Sequence, residues 1–420
     1  MMHITRRSFV GALPAAASAL GANDRIRVAL IGAGGRGRDL LRSAGAVEDV
    51  EMAVICDPDE NRMRQMAGEA EKRTGRKPRT EADLRKIIED KEIDAVILTC
   101  CNHWHALATV WAVQAGKHVY VEKPVSHDIV EGQKMVEAAR KYKRVVQAGT
   151  QRRSSPRFQS AVAQLKEGLI GDIYLGRFLF TGPRESLGFK QPEPPPPELN
   201  WDLWLGPAPA QPFHANLVHY NWHWFWDFGN GEMGNNGVHN FDILRWGMNR
   251  GLPTRVHSTG GRYGYKDQGQ TPNTQSASLI YPDGVQILCE IRGLYSNEPI
   301  GMHFYGSKGS MHLDPQGNCQ VFLGRSKQAE KLPPVPAGNM EVGHFRNFID
   351  AIRAARPELL ACGIEECEQS TALCHLANIS YRLGRELRFD PQSRRFAGDN
   401  QANQFLSRPG RSGFRMPDKV

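Results

Sequence analysis

The chain has 420 residues, of which 40% are hydrophobic and 23% are charged, and it carries a formal net charge of +8. This length exceeds what one ordinary hydrophobic core supports, so we expect a globular protein of two domains. The basic residues are scattered, with a modest concentration in the segment Arg394–Arg415, and no basic block alternates with aromatic residues. This distribution argues against a nucleic acid partner.

The N-terminus contains a twin-arginine pattern, TRRSFV, at Thr5–Val10, and an apolar run from Phe9 to Leu20 follows it. Such a segment is typical of a signal peptide read by the twin-arginine (Tat) translocation machinery, which predicts a periplasmic or otherwise exported protein. The run is too short for a stable membrane anchor, and no later segment is long and apolar enough, so we do not expect an integral membrane protein. Residues 1–22 are therefore assigned to the signal and excluded from the fold.

A glycine-rich turn follows the first predicted strand, Arg25–Ile31, and precedes a predicted helix. In a G-x-G-x-x-G pattern the first glycine permits the tight turn, the second lets the backbone approach a pyrophosphate, and the third allows close helix–strand packing. The free N–H groups of the helix N-terminus would face the phosphates. The residues of this turn predicted to contact a dinucleotide are Gly32, Gly34, Gly35, Arg36 and Gly37.

A carboxylate lies where such a site needs one for the adenosine ribose. The second predicted strand, Met52–Cys56, ends at Asp57, which comes 20 residues after Gly37. An acid at this place accepts hydrogen bonds from the ribose hydroxyls and repels a 2′-phosphate. The pattern favours NAD as the cofactor, while Arg36 and Arg62 leave NADP possible.

Predicted strands and helices continue to alternate, which indicates a doubly wound parallel sheet, a Rossmann domain, over residues 23–150. A capping-box pattern marks the start of the first of these helices. The capping residues are Thr80 and Asp83, and the elements are helix Glu81–Asp90, strand Ile93–Thr99, helix Trp104–Gln114, strand His118–Val121, helix Asp128–Lys141 and strand Arg144–Ala148.

Two unusual segments follow strands of this predicted sheet, at the carboxyl ends where ligands bind to such folds. Asn102–His105 (NHWH) comes after one strand, and Glu122–Pro124 (EKP) comes after the next. A third motif, G-x-H-x-x-D, stands far along the chain at Gly237–Asp242. Together with the glycine turn, these segments resemble the Gfo/Idh/MocA family of glucose–fructose oxidoreductase and inositol 2-dehydrogenase. The segment Trp204–Pro207 (WLGP) and the long C-terminal tail resemble the exported bacterial branch of that family.

The resemblance implies an NAD(P)-dependent oxidoreductase that acts on a secondary hydroxyl of a sugar or polyol. It implies that Lys123 transfers the proton, that Glu122 holds the nicotinamide-side ribose, and that His239 pairs with Lys123 across the substrate. Asn102 and His105 would line the cofactor. A partly desolvated lysine beside a cationic nicotinamide has a lowered pKa and can accept the hydroxyl proton, a contribution of about 10²–10⁴-fold.

One position departs from the family pattern. Many members carry Asp four residues before the histidine, where this chain has Asn235. An amide cannot act as a base or stabilise a cationic histidine as a carboxylate does. We therefore expect a weakened relay through His239 and a larger role for Lys123.

Residues 151–390 are predicted to form an α+β domain with an open, mainly antiparallel sheet, and residues 391–420 a basic tail on the surface or on an adjacent subunit of a homo-oligomer. We expect that the last helices of this domain can pack back on the first domain. The predicted elements are strands Leu175–Phe180, Ser276–Tyr281, Val285–Ile291, Met302–Tyr305 and Ser310–Leu313 and helices 342–354 and 364–386.

An aromatic segment, NWHWFWDF at Asn221–Phe228, has two open interpretations: a surface that stacks on sugar rings, or a buried aromatic cluster. The residues predicted to contact substrate are Arg152, Trp224, Asp227 and His239. We predict no metal site, because no carboxylate or cysteine completes the set His103, His105, His219, His223 and His239. The eight cysteines show no metal-binding spacing and are expected to be mainly buried thiols.

Export constrains the reaction, because NAD is made in the cytoplasm and would have to stay bound after translocation. With an association rate of about 10⁶ M⁻¹s⁻¹, retention for hours requires a Kd of roughly 10⁻¹⁰ M. A redox-neutral cycle fits this better than release of NADH at each turnover. Three possibilities remain open: an oxidoreductase that oxidises one sugar and reduces another, an NAD-dependent glycoside hydrolase resembling family 109, and a non-catalytic sugar-binding protein.

Overall fold

A computed structural model describes residues 25–420, so the predicted signal peptide lies outside the described residues. The first part is a six-stranded parallel sheet in the order β3-β2-β1-β4-β5-β6 with helices between its strands. This confirms the predicted Rossmann fold. Its elements are β1 (Ile26–Ile31), α1 (Gly35–Gly45), β2 (Val50–Cys56), α2 (Glu60–Thr74), β3 (Arg79–Glu81), α3 (Leu84–Glu89), β4 (Ala95–Leu98), α4 (Asn102–Gln114), β5 (His118–Val121), α5 (Ile129–Tyr142) and β6 (Val146–Ala148).

The start of α3 corrects one prediction. The capping box of Thr80 and Asp83 does not form, because Thr80 belongs to β3, where it pairs with Ile55 of β2. Asp83 alone caps the helix, since its carboxylate accepts from the backbone N–H of Arg85 at 3.0 Å. The pairing of β3 with β2 thus takes up Thr80 and Glu81, which the sequence pattern placed at the start of the helix.

The second part contains a nine-stranded sheet in the order β13-β12-β11-β7-β10-β9-β8-β14-β15. Within it β7 and β10 run parallel and the other described pairs run antiparallel, which confirms the predicted mainly antiparallel sheet. Its elements are α6 (Pro156–Lys166), β7 (Ile173–Thr181), α7 (Trp201–Leu205), α8 (Val238–Met248), β8 (Arg255–Gly261), β9 (Thr274–Ile280), β10 (Gln286–Arg292), β11 (Gly301–Gly306), β12 (Gly309–Leu313), β13 (Cys319–Leu323), α9 (Met340–Ala354), α10 (Ile364–Leu383), β14 (Leu387–Asp390), β15 (Arg395–Phe396) and α11 (Asn400–Asn403).

The C-terminal helices return to the first sheet. Phe348 of α9 lies 5.8 Å from the ring of Tyr120 in β5, and His344 Nε2 lies 2.8 Å from the carbonyl of Ala148 at the end of β6. The tail goes further along the same surface, where Phe414 packs edge-on against Trp104 at 5.5 Å. The tail therefore wraps the first half of its own chain, and the cofactor edge of the sheet is buttressed by residues distant in sequence.

Among residues 25–420, no helix has both the length and the apolar character needed to cross a bilayer. All eight cysteines are free thiols, and five of them are buried. No group of three potential metal-ligating side chains occurs in this described range.

Candidate active site

A cavity of about 300 Å³ opens at the carboxyl ends of β1, β2, β4 and β5. It joins the glycine turn to the loops after β4 and β5 and to the segment that precedes α8, so residues far apart in sequence face one space. The predicted site residues that line it are Gly32, Gly34, Gly35, Arg36, Asp57, Asn102, His105, Glu122, Lys123 and Asn235.

The glycine turn has the local geometry that a dinucleotide requires. Gly32 has a φ of 105°, and a Cβ atom there would lie 2.6 Å from the backbone nitrogen of Cys100. A Cβ on Gly37 would lie 2.3 Å from the carbonyl oxygen of Gly32, which fixes how closely α1 packs on β1. A Cβ on Gly34 would meet no protein atom within 4 Å, so the backbone there is open to an approaching pyrophosphate.

Asp57 ends β2 inside the cavity. Its carboxylate accepts from the backbone N–H of Ala33 at 2.6 Å and from that of Asp59 at 2.9 Å. Burial raises the pKa of Asp57 to about 6. The side chain is thus fixed against the glycine turn, where its remaining lone pairs can receive ribose hydroxyls.

Arg36 is held by two carboxylates. Its Nε donates to Glu122 Oε1 at 2.6 Å, and its Nη2 donates to Glu341 Oε2 of α9 at 2.9 Å. Glu122 itself lies against Gly149, where a Cβ atom would come within 2.6 Å of the carboxylate. Because two of its three guanidinium nitrogens are engaged by carboxylates, Arg36 is less available to a 2′-phosphate than Arg62, which also lines the cavity.

Lys123 follows β5 and points toward the segment before α8. Its Nζ donates to the backbone carbonyl of Asn235 at 2.6 Å, and its peptide bond to Pro124 is cis. Burial lowers the pKa of Lys123, although the Glu122 carboxylate opposes that shift. A larger fraction of Lys123 is therefore neutral at neutral pH than would be the case for an exposed lysine, and the neutral amine is the form that can accept a proton.

His239 lies in the first turn of α8, and its Nδ1 is buried without a hydrogen-bond partner. Burial, with the charges of Lys123 and Arg152, holds the pKa of His239 well below its usual range, so the ring is neutral. Arg152 donates to the side chain of Asn240 at 2.7 Å. The structure therefore brings Lys123, Asn235, His239 and Arg152 together, although His239 and Arg152 do not line the cavity itself.

The two predicted cofactor-lining residues after β4 are fixed by backbone and side-chain contacts. The ring of His105 lies between the carbonyls of Pro124 and Cys100, at 2.7 Å and 3.0 Å, so it joins the loop after β4 to the loop that carries Lys123. Asn102 donates to the side chain of Asn230 at 3.2 Å. Both line the cavity, and His105 acts there as a link between two loops.

The aromatic segment is mostly a buried cluster, and two of the residues predicted to contact substrate stand apart from the cofactor cavity. Trp224 is 4% exposed and packs against the guanidinium of Arg184 at 5.2 Å, away from the cavity. Asp227 faces a second cavity of about 260 Å³, beside Arg382 and Arg408. Neither side chain lines the cofactor cavity.

Residues that sequence reasoning did not choose line the cavity from this segment and from the two residues that precede it. Tyr220, Trp222 and His223 face it, and the His223 ring stacks on Trp222 with centroids 3.6 Å apart. His219 also faces it and lies 3.2 Å from Asp59. The four aromatic and imidazole rings were visible in the sequence, but only the turn geometry shows which of them point inward.

Comparison with known proteins gives the family. Residues 26–150 match the oxidoreductase family's NAD-binding Rossmann fold, and residues 176–416 match its C-terminal alpha/beta domain. The chain belongs to the Gfo/Idh/MocA oxidoreductase family.

Individual relatives of this Gfo/Idh/MocA protein are distant. It is 33% identical over 172 residues to inositol 2-dehydrogenase 1 of Saccharopolyspora erythraea, covering 40% of this chain and 50% of the relative. It is 29% identical over 160 residues to glycosyl hydrolase family 109 protein 1 of Akkermansia muciniphila, covering 36% of this chain and 33% of that protein. The matched regions thus span half or less of these two relatives.

A solved structure extends the likeness to nearly the whole fold. The WlbA dehydrogenase from Bordetella pertussis, in complex with NADH and UDP-GlcNAcA, superposes with a TM-score of 0.66 at 20% identity. The superposition covers 88% of this chain and 99% of that one. At this identity the likeness establishes the shared architecture only.

Proposed function

We propose that this protein oxidises a secondary hydroxyl of a sugar or polyol, with Lys123 as the base. The observation that carries the proposal is the place of Lys123: its ammonium lies in the cavity that the glycine turn opens, with a lowered pKa and a carbonyl partner at 2.6 Å. A buried lysine with a lowered pKa that borders a cavity has the features of a proton-transferring residue.

The residues around the cavity fit NAD. The backbone at Gly34 is open, Asp57 offers acceptors for the adenosine ribose, and Glu122 lies beside Lys123 for the second ribose. NAD, when bound there, would accept a hydride from the carbinol carbon of the substrate.

The protein supplies the acid–base chemistry. Lys123, in its neutral form, takes the hydroxyl proton as the C–O bond becomes a carbonyl, and the resulting ammonium is held by the carbonyl of Asn235. His239 is neutral, and the charge of Lys123 acts on its ring, so we assign to it the orientation of a substrate hydroxyl beside the base. In this scheme His239 orients the substrate, and the proton goes to Lys123.

A screen of polyols and sugars tests the proposal. The purified protein is incubated with NAD and each of myo-inositol, hexoses, uronic acids and amino sugars, and the absorbance of NADH and the formation of keto-sugar are followed. We expect keto product with at least one member, and a second sugar as electron acceptor where NADH does not accumulate. Failure to oxidise any polyhydroxylated compound would contradict the proposal.

A redox-neutral glycoside hydrolase is the second candidate, and the match to a family 109 protein favours it. Transient oxidation at one ring carbon would acidify the neighbouring C–H, and elimination would then release the aglycone and leave a carbon–carbon double bond. Water would add across that bond, and return of the hydride to the carbonyl would complete a redox-neutral hydrolysis. Release of a nitrophenol from nitrophenyl glycosides without net NADH would support this candidate over the first.

We further propose that the protein is exported through the twin-arginine route and keeps its NAD bound. The sequence TRRSFV at Thr5–Val10 supports export, and Arg36 joins Glu122 to Glu341 of α9, which would close the cofactor edge. Native mass spectrometry of the periplasmic protein tests both points: we expect one NAD per chain. A cytoplasmic protein free of nucleotide would contradict them.

A further inference from the structure

Beyond its proposed base, the site has a buried carboxylate that the family motifs do not mark. Glu232 is 2% exposed and directly precedes the π-helical turn Met233–Gly237. Its Oε2 accepts from the side-chain amide of Asn236 at 2.6 Å and from that of Asn235 at 3.4 Å, and its Oε1 accepts from Arg184 at 2.5 Å. Single π-helical turns are frequent at functional sites.

These contacts join Glu232 to the proposed base through one residue. Asn235 donates its amide to Glu232 and receives the Lys123 ammonium on its backbone carbonyl. Arg184 is braced in turn by the ring of Trp224 at 5.2 Å, so the cation that holds the carboxylate is itself fixed by packing. The chain thus carries a carboxylate three residues before the position where many family members have Asp.

We propose that Glu232 is a positioning residue that takes the place of the missing carboxylate at position 235, fixing the turn that receives Lys123 and stabilising the ammonium after proton transfer. This rests on the proposed role of Lys123 as the base. Asn235 then stands between the Glu232 carboxylate and the Lys123 ammonium, and its side-chain amide serves to donate a hydrogen bond to Glu232.

The charge around Lys123 sets the direction of the expected effect. The charged or titratable groups that act on it or feel its charge are Glu122, Arg36, Glu232, Arg152, His105, His223, His239 and Cys374. Of these, the two carboxylates favour the protonated amine, and the nearby arginines oppose it. Loss of the Glu232 charge should therefore lower the pKa of Lys123, whereas loss of a purely structural contact would not.

The test compares E232Q with a matched control, E290Q, in the full-length protein with bound NAD. Glu290 is likewise a carboxylate paired with arginine, Arg177 at 2.8 Å, but it is less buried and lies on β10 outside the cavity. Acetylation of Lys123 by acetic anhydride is measured against pH by peptide mass spectrometry, and the pH profile of kcat is recorded for the substrate found by the screen.

We expect E232Q to move the Lys123 labelling midpoint and the acidic limb of kcat about one unit toward lower pH, with a plateau kcat about tenfold lower. The double variant E232Q/N235D should restore the midpoint, and E290Q should match the wild type. An unmoved midpoint and limb in folded E232Q would overturn the proposal, whatever happens to kcat.

Two further results keep the test decisive. If E232Q does not fold, E232D is used instead, because it keeps the charge but withdraws from Asn236; we expect an unmoved limb and a plateau at least threefold lower, and wild-type values in both would overturn the proposal. Full activity in Lys123→Ala would instead overturn the proposed function, since the labelling of Lys123 in E232Q does not depend on turnover.

Discussion

The two sides of the cavity are built in different ways. The nucleotide side comes from short, continuous segments at strand ends: the glycine turn, Asp57 and the Glu122–Pro124 loop. The substrate side comes from a 3₁₀ turn at Asn221–Trp224 and a π-helical turn at Met233–Gly237, braced by buried arginines and aromatic rings. The first side depends on backbone geometry, and the second depends on tertiary contacts among side chains.

This difference indicates where specificity resides. Backbone geometry at strand ends is the same requirement for every dinucleotide site, so its residues are recognisable as local patterns. Side chains presented by irregular turns can be exchanged without disturbing the sheet, so they can adapt to different substrates. Lys123 is the point at which the two sides meet, through its bond to the carbonyl of Asn235.

The largest expected effect lies at that meeting point. Lys123→Ala should lower kcat by about 10²–10⁴-fold while NAD binding stays near the wild-type value, because the base is lost but the cofactor contacts remain. Lys166→Ala, at an exposed position on α6, is the control and should retain full activity. A kcat within threefold of the wild-type value in Lys123→Ala would show that Lys123 is not the base.

A substitution confined to the nucleotide side comes next. Gly37→Ala would place a Cβ 2.3 Å from the carbonyl of Gly32, so we expect a loss of about 1–3 kcal/mol in stability together with weakened NAD binding. Gly45→Ala on the same helix meets no atom within 4 Å and should be neutral or slightly stabilising. Thermal unfolding with and without NAD measures both, and equal behaviour of the two variants would refute the packing role.

The charge of Asp57 should make cofactor choice depend on pH. Burial raises its pKa to about 6, so the negative charge that repels a 2′-phosphate is lost as pH falls through that value. We expect the preference for NAD over NADP to shrink roughly tenfold, about 1.4 kcal/mol, between pH 7.5 and 5. The 2′-phosphate also titrates in this range, so Asp57→Asn is the reference, and a preference that changes equally in both proteins would exclude Asp57 as the cause.

The same pKa shift has a defined sign for stability. Because the folded pKa of Asp57 lies above its ordinary value of 3.8, the folded state binds the proton more tightly than the unfolded chain does. The contribution of this group to the free energy of unfolding is therefore fully present below about pH 4 and is lost as pH rises through about 6. Asp57→Asn should remove this component from the pH dependence of unfolding.

The smallest effects should separate the inward-facing aromatic residues from the rest of their segment. Tyr220→Ala removes a ring that borders the cavity and should raise KM about fivefold, in keeping with a loss of about 1 kcal/mol. Asp227→Asn lies in the second cavity and should leave kcat/KM within twofold of wild type. A larger effect of Asp227→Asn than of Tyr220→Ala on the identified substrate would reverse the assignment.

The sequence predicted the fold and the nucleotide side well, because both follow from strand periodicity, glycine spacing and an acid at a fixed offset. It did not predict which members of Asn221–Phe228 face the cavity, since a 3₁₀ turn follows neither helical nor strand periodicity. It also did not single out Glu232, whose hydrogen bond with Asn235 depends on a π-helical turn and on Arg184, which lies in the loop after β7. Gly206 in the WLGP segment shows the same limit: its role is to let the backbone lie against the Trp104 ring.

The most direct test of the central claim is a crystal structure of the protein with NAD. We expect the pyrophosphate to lie over Gly34, the adenosine ribose against Asp57, and the nicotinamide on the side of the cavity that holds Lys123 and Asn235. A nucleotide bound elsewhere, or one whose nicotinamide points away from Lys123, would contradict the account.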